Sequence, residues 1–552
     1  MTLSLPSRHS KQLEEKRLSG VFSYSGVFWV NDDDDQQSGD AVPVQQIDNQ
    51  NTAIDCPRDL EDFTRLWIYL KGVHEMVKGS EPMLVGLKWK EVSEGSPAIR
   101  LFEAYEQDGG DEYLKDETNA TQQIQGQYGQ AIEAMFSGNT VVTSAEPFIF
   151  PSEIWDELDE EHYKKYFLFE GVSEGKGKLQ LVFLNQNQEE IGEAPPIYLE
   201  ISNIKKMYQR SEGNQFIQPW DERDEAVIFV HGWRMSPEGS TSFAETMYKR
   251  LWHRGFKGRF AYFRWDTDWS SSFEWLPYLG EPIDAYLAHY NDSEHNAWLA
   301  GQSLKNFVNS IPKSNKNIAA HSMGNIVAGS ALLAGMNINN YALMQPAVPA
   351  ACYDERQEIE QTLQYNHLTF TMWDEDSPDD DPDPVTRALA YRGRLKNVGG
   401  NLVLFHLKDD YATFRAWEIN NDQAKPPGNL SANFRYQRNN PNGQKLYKYH
   451  YENVMMGEVE VQQEVVDYYL SDPYEAMPYA CRSWGKAAGA EPDTQGAIDD
   501  KVNLSAPVFQ LPEEETPGFG DEHSGQFNAN IQNLKPFYDE LINKLQVGPP
   551  NP

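Results

Sequence analysis

The stretch Asn317-Ile318-Ala319-Ala320-His321-Ser322-Met323-Gly324, running on into NIVAGSALLAGM to Met336, decides how the chain reads. Its first residues form a short apolar run suited to a buried strand, and its continuation is a helix pattern built on small residues. Between them sits a serine at the tip of a tight strand-to-helix turn. Such a turn strains the backbone and exposes the hydroxyl, and the residues two before and two after the serine must be small for it to close. Ala320 and Gly324 meet that demand, with Ala in the place where Gly is more frequent. The Met323 amide falls in the first turn of the helix, where unsatisfied N–H groups and the helix dipole favour a developing oxyanion. A serine that simply caps a helix gives the same five residues, so the neighbours must decide.

Reading outward, the chain from Ala226 alternates strand and helix. AVIFVHGW, RFAYFRWDT, NIAAHS, NYALMQPAV and NLVLFHLKDD are strand runs, and FAETMYKRLWHRG, HNAWLAGQSLKNFVNSI and the segment after Ser322 are helical. This alternation predicts an α/β fold, a mostly parallel sheet with helices on both faces. AVIFV ends in His231-Gly232-Trp233, about ninety residues before the serine, where a Gly turn can aim the Trp233 amide at the same oxyanion.

A serine hydroxyl is unreactive at neutral pH until an imidazole takes its proton, and that imidazole needs a carboxylate to fix its tautomer. NLVLFHLKDD ends in Asp409 and Asp410. Asp410, the last residue before the helix expected over YATFRAWEIN, is the chosen acid. Either aspartate could instead cap that helix. Asp374, Glu375 and Asp376 are competitors in a stretch that reads as solvated. Two histidines follow Asp410. His450, in the alternating run KLYKYHYEN, reads as a packed strand residue, and His523, in a Gly-rich loop before the last amphipathic helix, suits a catalytic base. His406 lies inside a strand and reads as core.

VIFVHGW, AAHSMGN, KDDYA and EHSGQF, taken in this order, resemble the α/β-hydrolase superfamily, in particular its bacterial esterase/lipase-like members, from about Ala226 to the C-terminus. The resemblance implies Ser322 as nucleophile, His523 as base, Asp410 as acid, and Trp233 and Met323 as oxyanion donors, with no cofactor required. It does not name a substrate; ester cleavage is the default because it makes smaller demands on leaving-group protonation than amide cleavage, and a small-molecule or polymeric carboxylic ester is the expected substrate. The different-class alternative is a non-catalytic binding or adhesion protein on a degenerate hydrolase scaffold, and a serine peptidase or amidase would use the same residues. About 110 residues separate Asp410 from His523, more than a minimal core of this kind needs. An insert over or beside the site is therefore expected at 422–455, while the Trp-rich loop 266–291 and the Pro- and Asp-rich stretch 346–397, both after strand ends, are expected as lids or pocket walls, with 206–552 as the catalytic unit.

Residues 1–205 carry the short β-like runs GVFSYSGVFWV, RLWIYLKGV, PMLVGLKWKEV, AIRLFEAY, NTVVTSAEPFIF, KLQLVFLNQ and PIYLEIS, which predict a β-rich, sandwich-like accessory module. After its first strand, the acidic turn Asn31 to Asp35, with Asp40, lacks the register of an EF-hand and reads as a solvated loop. If calcium binds, Asp33, Asp35 and Asp40 are its expected ligands, in a structural role.

The whole chain has 552 residues, 39% of them apolar, enough for a large core. With 47 Lys and Arg against 84 Asp and Glu, the net charge of −37 excludes a phosphate-backbone partner and disfavours anionic membranes. Much of that charge falls in loops, at Asp32 to Asp35, Asp156 to Glu161, Asp374 to Asp383 and Glu513 to Glu515. The longest apolar stretches fall short of the ~20 residues a membrane-spanning helix needs. The polar start MTLSLPSRHSKQLEEKRLSG predicts no export signal in the chain as written, and the compartment stays open, secretion included. Cys56, Cys352 and Cys481 are too scattered for a disulfide framework or a CxxC metal site.

Overall fold

The computed structural model describes residues 2–4, 24–31, 60–78, 82–103, 141–156, 158, 163–213, 216–217, 223–267, 283–348, 350–353, 395, 397–408, 410, 412–413, 430–433, 450–453, 457–460, 487–490, 494, 496–506, 508–509, 523–528 and 535–548.

A sheet of seven strands, every pairing parallel, organises the part that carries the serine. Its strands are β1 (Gln209–Arg210), β2 (Glu225–Val230), β3 (Arg259–Phe263), β4 (Asn315–His321), β5 (Asn340–Met344), β6 (Leu402–His406) and β7 (Asp500–Asn503), in the spatial order β1-β3-β2-β4-β5-β6-β7. β2, β4 and β5 are almost wholly buried, as strands covered on both faces must be. Alternate residues of β2 serve different cores. Val227 and Phe229 join one cluster, while Ala226, Ile228 and Val230 join the other.

The helices are α1 (Pro237–His253), α2 (Ile283–Ser310), α3 (Gly324–Leu333), α4 (Gly525–Asn528) and α5 (Lys535–Leu545). α1 starts where Ser236 accepts the Gly239 amide at 2.9 Å with Pro237 in the first turn, so a side chain satisfies an otherwise orphaned donor. α3 is buried along nearly its whole length, which accounts for its small, apolar composition.

The strands expected from Ala226 onward fall on strands of this sheet and the expected helices on α1, α2, α3 and α5, except that the helix expected over YATFRAWEIN lies outside the described residues apart from 412–413, and there are two differences. β1 and β7 were not expected. α2 begins at Ile283, so the end of the segment 266–291, expected as a lid or pocket wall, is helix, while 268–282 lies outside the described residues. Of the stretch 346–397, residues 346–348, 350–353, 395 and 397 are described. Within 422–455, Leu430–Asn433 and His450–Asn453 pair antiparallel, and the latter also pairs with Gly457–Glu460.

The N-terminal strands form one hydrogen-bonded sheet of nine, where two facing sheets were expected. The reason is length. PMLVGLKWKEV and AIRLFEAY belong to the single strand Leu84–Glu103, which pairs antiparallel with Lys164–Leu184 through register shifts between Lys90 and Glu94 and again between Gly95 and Ala98. Bulges let long strands bend without breaking the ladder, so pairing carries through where a sandwich would interrupt it. One core cluster runs through both sheets. Phe28 and Trp29, from the strand Tyr24–Trp29, pack edge-on against Trp252 of α1 at 5.4 and 5.2 Å. Asp33, Asp35 and Asp40 lie outside the described residues, and among the described residues no cluster of potential metal ligands occurs. No helix among them is long and apolar enough to cross a membrane.

Candidate active site

Ser322 follows the last residue of β4 and precedes α3 by one residue, with φ at +53°, a left-handed conformation that non-glycine residues rarely adopt. Neighbouring backbone holds it there. Its amide donates to the Met344 carbonyl at the end of β5 at 2.9 Å, and its carbonyl accepts from the Ala347 amide at 3.2 Å and from Asn325 Nδ2 at 2.9 Å. Asn325 also donates to the Ala320 carbonyl at 3.0 Å and accepts from the Tyr341 hydroxyl at 2.8 Å, so one buried amide ties together both sides of the turn.

The small-residue requirement is visible in the contacts. A Cβ on Gly324 would lie 2.4 Å from the His231 carbonyl and 2.7 Å from that of Val230. The end of β2 therefore presses directly on the start of α3. A Cβ on Gly232 would lie 2.9 Å from the Ser322 Cβ, which puts the His231-Gly232-Trp233 turn against the serine. Trp233 is half-buried, and its indole N–H donates to Ser293 on α2 at 2.9 Å. The Met323 amide has no acceptor among the described residues.

Asp410 and His523 come together. His523 Nδ1 donates to Asp410 Oδ2 at 2.7 Å, which leaves Nε2 of the neutral ring as an acceptor. That Nε2 is buried and has no partner among the described residues. The other Asp410 bonds fix its plane: Oδ1 accepts the Ala412 and Thr413 amides at 2.9 and 3.4 Å, and Oδ2 also accepts Gln345 Nε2 at 3.0 Å. Complete burial by itself pushes the Asp410 carboxyl up, but its interactions with the adjoining His523 ring and with Thr413 outweigh it and hold the group below its usual range. Asp410 is fully enclosed, and Ser322 and His523 are buried with 7% and 8% of their surface accessible. No hydrogen bond within 3.5 Å joins Ser322 to His523.

Three further residues shape the site. His321, next to the serine, donates Nε2–H to the His523 carbonyl at 2.7 Å, with the two rings 4.7 Å apart. Burial drives its pKa down to about 3, with the neighbouring His523 adding to the effect, so it stays neutral. Gln345, the residue after β5, has φ at +41° and supplies the bond to Asp410. His231 donates Nδ1–H to the Gly232 carbonyl at 2.8 Å, accepts the Trp265 amide on Nε2 at 3.3 Å and stacks on the Trp265 ring, with burial lowering its pKa to about 4. His321 and Gln345 stand beside the serine motif and at the end of NYALMQ, positions at strand ends that the sheet topology makes candidates. Asn325 carried no signal beyond its place in HSMGN.

Of the competitors, Asp409, Asp374, Glu375 and Asp376 lie outside the described residues. His450 is in a strand, as expected, and His406 is a buried residue at the end of β6.

No family model and no curated protein matches the chain. It is similar to solved structures of the carboxylesterase CesB from Bacillus subtilis, at 13% identity and a TM-score of 0.18 over 34% of this chain and 67% of that one. It is also similar to a lipase-esterase related protein from Clostridium acetobutylicum, at 14% identity and 0.17 over 34% and 75%. A third is acetyl xylan esterase 1 from a Thermoanaerobacterium species, at 13% identity and 0.20 over 43% and 69%.

Proposed function

We propose that the chain is a serine hydrolase acting on carboxylic esters. The observation that carries the reading is the enclosed Asp410–His523 pair, with its outer ring nitrogen unpartnered, on the same sheet edge as a serine held at positive φ between strand and helix. A serine that merely capped α3 would need no strain, and no carboxylate-oriented imidazole would be built beside it.

In this mechanism His523 Nε2 takes the proton of Ser322 as the hydroxyl attacks the ester carbonyl. Negative charge develops on the carbonyl oxygen, where the Met323 and Trp233 amides donate to it. Asp410 keeps the Nδ1–H tautomer in place and stabilises the imidazolium. The protonated His523 then gives its proton to the leaving alkoxide as the tetrahedral intermediate collapses to the acyl-enzyme. Water, deprotonated by the same ring, releases the acid and restores Ser322. This chemistry requires no cofactor. Esters are favoured over amides because an alkoxide leaves with less help from the acid than an amine requires. The residues 206–552 serve as the catalytic unit in this reading, with 1–205 as its β-rich accessory module.

The test is hydrolysis of a p-nitrophenyl ester series of increasing acyl length by the purified chain and by Ser322→Ala, together with labelling by a fluorophosphonate. Hydrolysis and labelling that both vanish in Ser322→Ala support the proposal. A wild-type chain that neither hydrolyses nor labels would leave the fold as a scaffold for binding, and hydrolysis unchanged in Ser322→Ala would remove the serine from the mechanism.

A further inference from the structure

Three residues beyond His523, the buried carbonyl of Gln526 receives two side-chain donors, Arg250 Nη1 at 3.1 Å and the Tyr538 hydroxyl at 2.8 Å. The Gln526 side chain reaches back to the His523 carbonyl at 3.4 Å, the same carbonyl that His321 holds. Arg250, on α1, is anchored from its other side by Glu61, whose carboxylate accepts Nε–H at 2.5 Å. Glu61 belongs to the single turn Leu60–Asp62 that leads into the N-terminal strand Thr64–Tyr69. Glu61, Arg250, Gln526 and Tyr538 are all at most 1% exposed.

A guanidinium is a rigid planar fork, so fixing one edge on a carboxylate fixes the direction of the other. Away from water, a charged donor binds a carbonyl more strongly than a neutral one, and its loss is not made good by solvent. Removing the carboxylate charge also leaves the buried cation less well neutralised, which favours turning its fork away from Gln526. The carbonyl so held sits in α4, a helix of four residues, too short to define its own direction.

We infer that Glu61 is a positioning residue for the reaction at Ser322: acting through Arg250 and the Gln526 carbonyl, it sets the angle at which His523 presents Nε2. The N-terminal segment thereby completes the catalytic site. The inference rests on the hydrolase reading above. Asp62 supplies an internal control, because it anchors the same turn to the same helix through Lys249 at 2.8 Å and to the Trp29 indole at 3.1 Å, away from Gln526.

The experiment compares Glu61→Gln, Asp62→Asn and Tyr538→Phe in the full chain by denaturant melts, by p-nitrophenyl acetate kinetics across pH and by hydrogen exchange over residues 523–528. Both acidic-turn variants should lose stability. Glu61→Gln alone should lose about tenfold in kcat, with KM within about twofold and the acid limb of its kcat/KM profile displaced. Tyr538→Phe, which removes the other donor to Gln526, should lower kcat in the same direction by less. A Glu61→Gln kcat equal to wild type, or an equal loss in Asp62→Asn, overturns the inference. If Glu61→Gln does not fold, Tyr538→Phe decides, and its unchanged kcat is the overturning result. Should the wild type hydrolyse no ester, the hydrolase reading fails by itself, and exchange decides the positioning claim: faster exchange over 523–528 in Glu61→Gln and not in Asp62→Asn sustains it, and equal rates refute it.

Discussion

Gly324→Ala adds one methyl group at the point where the serine turn meets the end of β2. The new carbon would stand 2.4 Å from the His231 carbonyl oxygen and 2.7 Å from that of Val230, where ordinary contact begins at 3.4 Å. The shortfall is about 1 Å, and both obstacles are backbone atoms, so no side-chain rotation relieves it. Either α3 moves away, carrying the Met323 amide with it, or the end of β2 shifts with Gly232 and Trp233. Each alternative displaces one proposed oxyanion donor relative to Ser322. Misplacement by about 1 Å at a reacting centre costs on the order of 10²-fold in rate, and overpacking of this kind costs about 1–3 kcal/mol in stability. The assay is p-nitrophenyl acetate turnover beside a urea melt. A variant that keeps wild-type kcat would refute the argument, since the turn would then tolerate a volume that its contacts forbid. Ala320→Gly, the opposite change on the other side of the serine, should leave kcat nearly intact.

Asp410→Asn keeps the shape of the acid but favours the wrong His523 tautomer, and its kcat should fall about 10⁴-fold with KM little changed. Gln345→Ala withdraws a neutral donor from the enclosed Asp410 carboxylate, and a loss of about 1–3 kcal/mol in a denaturant melt, with kcat lowered about tenfold, is expected. Acid should unfold the chain early. His231 and His253 are held neutral with pKa values lowered to about 4 and His321 to about 3, each chiefly by burial, against 6.5 in an exposed chain. Below pH 6.5 the unfolded chain therefore binds protons that the folded chain refuses, and stability falls with pH until the folded values are reached. At about 1.4 kcal/mol per pH unit and group, each histidine should cost about 2 kcal/mol at pH 5. Melts at pH 7 and pH 5 that give equal stability would contradict this.

The serine turn was legible because its demands are local: a buried run, a small residue on each side and a helix that starts at once. The pairing of His523 with Asp410 was legible as well, since the order of elements leaves few imidazoles and few strand-end carboxylates to choose from. β7 escaped because DKVN is four residues long with one of them, Val502, buried, so the sequence shows no periodicity to read. β1 has two residues and the same difficulty. The fusion of two N-terminal runs into one long strand depends on bulges, which no alternation pattern encodes. His321, Gln345 and Asn325 were missed for a different reason. Each works through a bond to backbone or to a carboxylate that is distant in sequence, and a single chain gives no sign of such a partner until the sheet brings it near.

The shared core of Phe28, Trp29 and Trp252 means that sheet boundaries and folding boundaries differ in this chain. Cutting between the two sheets near residue 206 would strip α1 of the indole that packs on it and would leave Lys249 and Arg250 without the carboxylates that neutralise them inside the protein. Two hydrogen-bonded sheets joined by one apolar cluster and two enclosed ion pairs should therefore lose stability together when that junction is cut, and a denaturant melt of a chain truncated near residue 206, with a midpoint well below that of the full chain, is the expected outcome.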